Sequence, residues 1–192
     1  MSIPVPTRPS GYRLGSGEAQ IQIDAFIDLE CPFSKKAWPT MLALTNQEPN
    51  DRLAITTHPM VLCDHRQSWD LTKAVTAIAG DDASTAWKFI SYLFKRQEEY
   101  HGAAFDDKTR QDLLTWIRQC LGEFDATAVP DAILQEIADE GSELASRAKV
   151  SVRHSISRGV WSTPTFFING SVVPQLESSS TLDEWQDFLQ SL

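Results

Sequence analysis

Apolar and polar residues first alternate in Ile21-Gln22-Ile23-Asp24-Ala25-Phe26-Ile27-Asp28-Leu29, where apolar side chains at the odd positions predict a half-buried strand. Gly15-Ser16-Gly17 ahead of it predicts a turn, and the proline-rich leader, within residues 1–19, reads as an extended arm on the surface. After Cys31-Pro32 the period becomes helical from Ser34 to Leu44, and Pro39 is expected to bend that helix. A second strand follows over Leu53 to Leu62, with a breaker at Pro59.

From Leu71 to Gly159 every period is that of a helix. Leu71, Ala74, Val75 and Ile78 share one face before Gly80, and Ala86, Trp87, Ile90, Leu93 and Phe94 belong to the next stripe, which reads as core. Thr109 with Asp112 forms a capping-box pattern that opens a helix whose Leu113, Ile117, Cys120 and Leu121 face inward, with Gly122 expected just past its end. Pro130 to Ala138 and Leu144 to Ser157 predict two more helices, the last stopping at Gly159. Strand character returns in Thr165 to Ile168 and in Ser171 to Val173. Asn169-Gly170 between them is a strong hairpin signal, because both residues tolerate the positive φ of a type I′ turn. Thr181 and Glu184 make a second capping box, before a helix expected to bury Trp185, Phe188, Leu189 and Leu192. Two or three strands alone are not independently stable, so strands on both sides of the helical block are expected to share one sheet. The expected organisation is α/β: an arm over 1–19, a core built from 20–65 and 160–192, and an all-helical insertion over 66–159.

Composition narrows the function. The 192 residues carry 26 acids against 17 bases, a formal charge of −9, so no basic field exists to collect phosphates. Nucleic acid and anionic membranes are poor partners for such a surface. The beginning of the chain lacks the uninterrupted apolar run of a signal peptide and no stretch is long enough to span a bilayer, which predicts a cytoplasmic chain away from membranes. Cys31, Cys63 and Cys120 are odd in number, at spacings that fit neither a disulfide framework nor a zinc site, so no metal is expected. Oligomeric state is not legible in any of these features.

Cys31 stands where the first strand gives way to a helix. A thiol there meets unpaired backbone N–H groups and the positive end of the helix dipole, which favour the thiolate. Lys35 and Lys36 would add to that effect, and Asp28 and Glu30 would oppose it. The bland reading of Cys31 is a small apolar filler.

A distant segment sharpens the picture. Taken with Cys31-Pro32-Phe33-Ser34, the run Thr163-Pro164-Thr165-Phe166-Phe167-Ile168-Asn169-Gly170 resembles the thioredoxin fold in its DsbA-like branch, where a helical domain separates the active-site helix from the closing hairpin. The resemblance covers roughly residues 20 to 190. It implies that Cys31-Pro32-Phe33-Ser34 occupies the place of the family's Cys-X-X-Cys, that Pro164 is the cis proline lying against the reactive cysteine, and that Pro39 is the proline common in the thioredoxin helix. It further implies catalytic roles for Cys31 and Ser34. Pro32, Phe33, Thr163 and Pro164 would bind an extended peptide or a small thiol or disulfide compound by strand addition. No bound cofactor is implied, and glutathione would serve as a co-substrate.

Ser34 stands where the resolving cysteine should be, so general dithiol exchange is disfavoured and a monothiol using mixed-disulfide or glutathione-linked chemistry is expected. Ser34 could hydrogen-bond the thiolate or simply belong to the helix start. A second resemblance is to kappa-class glutathione transferases and their isomerase relatives, whose Asp-X-X-Ser-Pro-Tyr-Ser pattern is similar to Asp28-Leu29-Glu30-Cys31-Pro32-Phe33-Ser34. A third reading keeps the fold as a non-catalytic partner-binding scaffold. Cys120 is expected in the core, and Cys63 would approach the site only if its loop folds back. His65 in that loop reads as solvated or as reaching a pocket between the subdomains. His58, His101 and His154 show no partner spacing, and Asp139, Glu140 and Glu143 read as a solvated helix junction.

Overall fold

The computed structural model of the chain describes residues 6, 9–47, 52–125, 127, 128 and 130–192. Of the expected arm, residues 1–5, 7 and 8 lie outside the described residues. The described part differs from a surface arm, because Tyr12–Leu14 is a strand, β1. Three residues are too few to show a period, and pairing with the sheet creates the strand.

Next come β2 (Ile21–Asp28), α1 (Pro32–Gln47) and β3 (Leu53–Met60). The chain closes with β4 (Thr165–Ile168), β5 (Ser171–Val172) and α7 (Leu182–Gln190). The five strands form one mixed sheet in the order β1-β3-β2-β4-β5. Strand β3 runs parallel to β2 and antiparallel to β1, β4 lies antiparallel to β2, and β5 antiparallel to β4. The closing hairpin thus returns to the first long strand, as the need for a shared sheet requires. Its turn uses positive φ at both Asn169 (48°) and Gly170 (82°). At the opposite edge Gly15 (φ 96°) takes the chain out of β1 so close to β3 that a Cβ there would meet the Leu53 carbonyl oxygen at 2.5 Å.

The central strands are covered on both faces. Ile21, Ile23, Ala25 and Ile27 join the main core, and Phe26 on the other face packs with Met60, Val160 and Phe167. Pro59 is tolerated inside β3 because β1 pairs only with Ile55–Thr57 and leaves the edge beside the proline unpaired. Pro39 lies within α1, which continues to Gln47.

Between β3 and β4 the described residues contain α2 (Ser68–Ala79), α3 (Ala83–Lys95), α4 (Arg110–Phe124), α5 (Pro130–Ala138) and α6 (Glu143–Ser157), and no strand. Both capping boxes form, at Thr109 with Asp112 and at Thr181 with Glu184. Gly122 lies inside α4 rather than beyond it, since apolar contacts carry the helix on to Phe124. Leu192 lies past α7 and is exposed. The helical block shares its core with the sheet. Trp38 of α1 stacks on Trp87 and Phe94 of α3 with ring centres 4.6 and 5.5 Å apart, and the Trp87 indole donates to the Tyr12 carbonyl at 2.9 Å.

Of the expected solvated junction, Asp139 and Glu143 are exposed, but Glu140 is tied into a buried network. The fully buried Lys73 ammonium bonds Glu140 at 2.9 Å, Asp70 at 2.8 Å and the Ile137 carbonyl, while Arg110 bridges Asp70 and Glu140. Burial works to raise the Asp70 carboxyl, but its bonds to Arg110 and Lys73 hold it below its ordinary value. His58 and His154 also find partners that spacing does not reveal. His58 Nε2 lies 2.9 Å from Asp24, and its ring stacks on Phe26 and lies 4.8 Å from His154.

Candidate active site

The C-terminal end of β2 and the N-terminus of α1 set the position of Cys31. The Cys31 N–H donates to the Asp28 carbonyl at 3.1 Å to close the turn, and the Cys31 carbonyl accepts from the Lys35 N–H at 3.1 Å to begin the helix. Its side chain therefore sits at the cap, in the field of the unpaired N–H groups of the first turn. The helical block clamps the same turn from the other side. Gln97 donates to the carbonyls of Leu29 (2.9 Å) and Cys31 (3.1 Å), and the buried Tyr100 hydroxyl donates to Leu29 at 2.8 Å.

The Thr163–Pro164 peptide bond is cis, and the Cys31 thiol donates to the Thr163 carbonyl at 3.3 Å across 132 positions of sequence. Cys31 is itself only 3% exposed. Beside it, Phe33, Trp161, Thr163 and Pro164 line a groove of about 580 Å³ that runs on over Phe167, Val172 and Pro174. Phe33 and Trp161 are 58% and 84% exposed, unusual for side chains of that size. The Thr163 hydroxyl is buried with no hydrogen-bond partner.

Of the expected site residues, Cys31, Phe33, Thr163 and Pro164 come together here, and Pro32 is exposed at the start of α1. Ser34 is fully buried, and its hydroxyl accepts from the Asp28 N–H at 3.2 Å; among the described residues it makes no bond to the Cys31 sulfur. Lys35 is tied to Glu98 at 2.9 Å, which offsets its charge. Cys63 is exposed in the loop after β3, and Cys120 is buried, its thiol pushed up to about 12 by burial.

Sequence reasoning underestimated the layer beneath the turn. Asp28 and Glu30 are both buried and bonded. The Asp28 carboxylate accepts from the N–H groups of Glu30 (2.8 Å) and Leu62 (2.7 Å) and from the Ser68 hydroxyl, and His65 Nδ1 lies 3.0 Å from it. Glu30 accepts from the N–H groups of Gln67 (2.9 Å) and Gly102 (3.0 Å). His65 is therefore not a solvated loop residue. The proximity of Asp28 and Glu30 to the thiol was a visible signal, but nothing in the pattern announced Gln97 or Tyr100. Among the described residues no cluster of His, Cys, Asp or Glu is placed to hold a metal ion, and no helix is long and apolar enough to cross a membrane.

A mixed sheet closed by a cis-proline hairpin, a cysteine capping the first helix and helices inserted after β3 define the DsbA-like thioredoxin fold. A family model described as thioredoxin matches residues 7–191, and the chain belongs to the thioredoxin family, with the fold of its DsbA-like oxidoreductases. Among solved structures, a proposed protein-disulfide isomerase from Pseudomonas syringae is similar over 93% of this chain and 97% of its own, with a TM-score of 0.76 and 20% identity. Oxidised BdbD from Bacillus subtilis is similar over 94% and 91%, with a TM-score of 0.74 and 15% identity. DsbA from Chlamydia trachomatis is similar over 97% and 93%, with a TM-score of 0.69 and 16% identity. No curated protein matches the chain.

Proposed function

We propose that the chain is a monothiol oxidoreductase in which Cys31 exchanges disulfides with an extended, cysteine-bearing peptide, and glutathione supplies the second thiol. The observation that carries this reading is the contact between Cys31 and the Thr163 carbonyl beside the groove lined by Phe33 and Trp161. A peptide laid along Thr163–Pro164 would take its apolar contacts from Phe33 and Trp161. In the first step the Cys31 thiolate attacks one sulfur of the substrate disulfide. A Cys31–substrate S–S bond forms, the original S–S bond breaks, and the leaving sulfur departs as a thiolate. Glutathione thiolate then attacks the substrate sulfur, giving a substrate–glutathione disulfide and releasing Cys31 as thiolate. One disulfide enters and one leaves, so no external oxidant is required. Because Ser34 cannot attack the mixed disulfide, resolution depends on the external thiol.

The test is exchange of labelled glutathione out of a peptide–glutathione disulfide in the presence of excess unlabelled glutathione, read as release of the label. Cys31→Ser should abolish it, and Trp161→Ala should slow it for the peptide while sparing reaction with glutathione disulfide. Release undiminished in Cys31→Ser would overturn the proposal. Conjugation of an electrophile to glutathione that survives Cys31→Ser but not Cys31→Ala would instead favour a transferase relative. Peptide binding without reaction would favour a scaffold.

A further inference from the structure

The charges near Cys31 do not balance once burial is counted. Two buried carboxylates, Asp28 and Glu30, lie within three residues of it, while Lys35 is occupied by Glu98 and Lys36 is exposed to solvent. Glu30 is satisfied by backbone N–H groups, which carry no net charge. Asp28 is the residue whose carbonyl closes the Cys31 turn and whose N–H is held by Ser34. A bare negative charge on it, three residues from the thiol in the same turn, would oppose formation of a thiolate.

One ionisable base meets that carboxylate among the described residues. His65, in the loop between β3 and α2, places Nδ1 at 3.0 Å from Asp28 Oδ1, with a side chain only 14% exposed. Nδ1 is buried and has no other partner, so its approach to Asp28 is the contact that places the ring, and it becomes an ion pair when the imidazole is protonated. The charged groups that act most on His65 among the described residues are acidic: Asp28 from β2, Glu30 from the turn beyond it and Asp64 from its own loop. Contact with Asp28 outweighs burial and raises the imidazole above its ordinary value. The neighbouring Arg66 is directed away, onto the carbonyls of Phe105 and Lys108.

We infer that His65 is a positioning residue for Cys31, whose imidazolium cancels the buried Asp28 charge beneath the turn so that the thiolate forms more readily while His65 is protonated. The inference rests on the reading of Cys31 as the nucleophile. Linkage makes the coupling reciprocal: if the His65 proton favours the thiolate, the thiolate favours the His65 proton.

Two measurements test it. The first is the rate of Cys31 alkylation, followed by peptide mass so that Cys63 does not contribute, in wild type and His65→Gln across the histidine range of about pH 5 to 8 and above. The variant should be slower on the order of tenfold where His65 is protonated, with the ratio falling towards one once His65 is neutral. A ratio constant with pH would show a merely structural effect and overturn the inference. The second needs no variant at position 65: the His65 ring proton titration by NMR in wild type and in Cys31→Ser. The midpoint should fall in Cys31→Ser, and identical midpoints would overturn the inference even if His65→Gln does not fold. A glutathione adduct on Cys31 without this coupling sinks the inference alone. Coupling without an adduct sinks the nucleophile reading alone.

Discussion

Replacing Ser34 by alanine separates the two uses its position allows. The Ser34 hydroxyl is fully buried and accepts from the Asp28 N–H at 3.2 Å. Alanine removes that acceptor, and leaving a buried donor unmatched costs about 1–3 kcal/mol. Because 3.2 Å is at the long end for an N–H···O bond, the lower half of that range, about 1–2 kcal/mol, is expected. In a chain of this size each kcal/mol lowers Tm by about 2–4 °C, so calorimetry should show a fall of about 2–8 °C. Cys31 reactivity at fixed pH should change little, since the structure directs the Ser34 hydroxyl to the backbone of Asp28. A hydroxyl donating to a thiolate would behave differently: loss of a bond to a charged group, about 1.5–3 kcal/mol, slows adduct formation on the order of tenfold or more. An unchanged Tm together with a tenfold slower Cys31 would refute the reasoning.

Ser34→Cys restores a second thiol one helical turn from Cys31; oxidation by glutathione disulfide should then end in an internal disulfide with glutathione expelled, and a persistent adduct by intact mass would contradict this. Lys73→Met takes the cation from between Asp70 and Glu140, which leaves the buried Asp70 to the half-exposed Arg110 alone. Because Arg110 keeps two bonds to Asp70, the loss should be about 1–3 kcal/mol in urea unfolding with an unchanged slope, and no measurable loss would contradict the network's role. For pH, the sign follows from His65 being raised by Asp28. Its contribution to stability is fully present below about pH 6.5 and is lost as pH rises through its raised value, so the stability gap between wild type and His65→Gln should shrink as pH increases. A gap that widens with pH would contradict the sign.

The fold was legible where burial imposes a period. Ile21–Asp28, the helices between β3 and β4, both capping boxes and the Asn169-Gly170 turn all follow from side-chain spacing or turn chemistry. Tyr12–Leu14 did not, because an edge strand of three residues is made by its partner. The upper layer of the site was legible in part for the same kind of reason, since a cysteine at a strand-to-helix corner is a local signal, whereas the role of Thr163-Pro164 came only from the family resemblance. The lower layer joins residues that no local rule connects. His65 meets Asp28 across 37 positions because the β3 loop folds under the turn, and Gln97 reaches the Leu29 carbonyl across 68. Glu140 looked solvated because its counter-ion, Lys73, lies 67 positions away in another helix.

Reactivity of the single thiol at the helix cap is the central claim, and intact mass after incubation with glutathione disulfide tests it most directly. Wild type should gain one glutathione mapped to Cys31, released again by free glutathione, and Cys31→Ser should lose that adduct while the buried Cys120 stays unmodified. An unmodified Cys31, with modification confined to the exposed Cys63, would contradict the account.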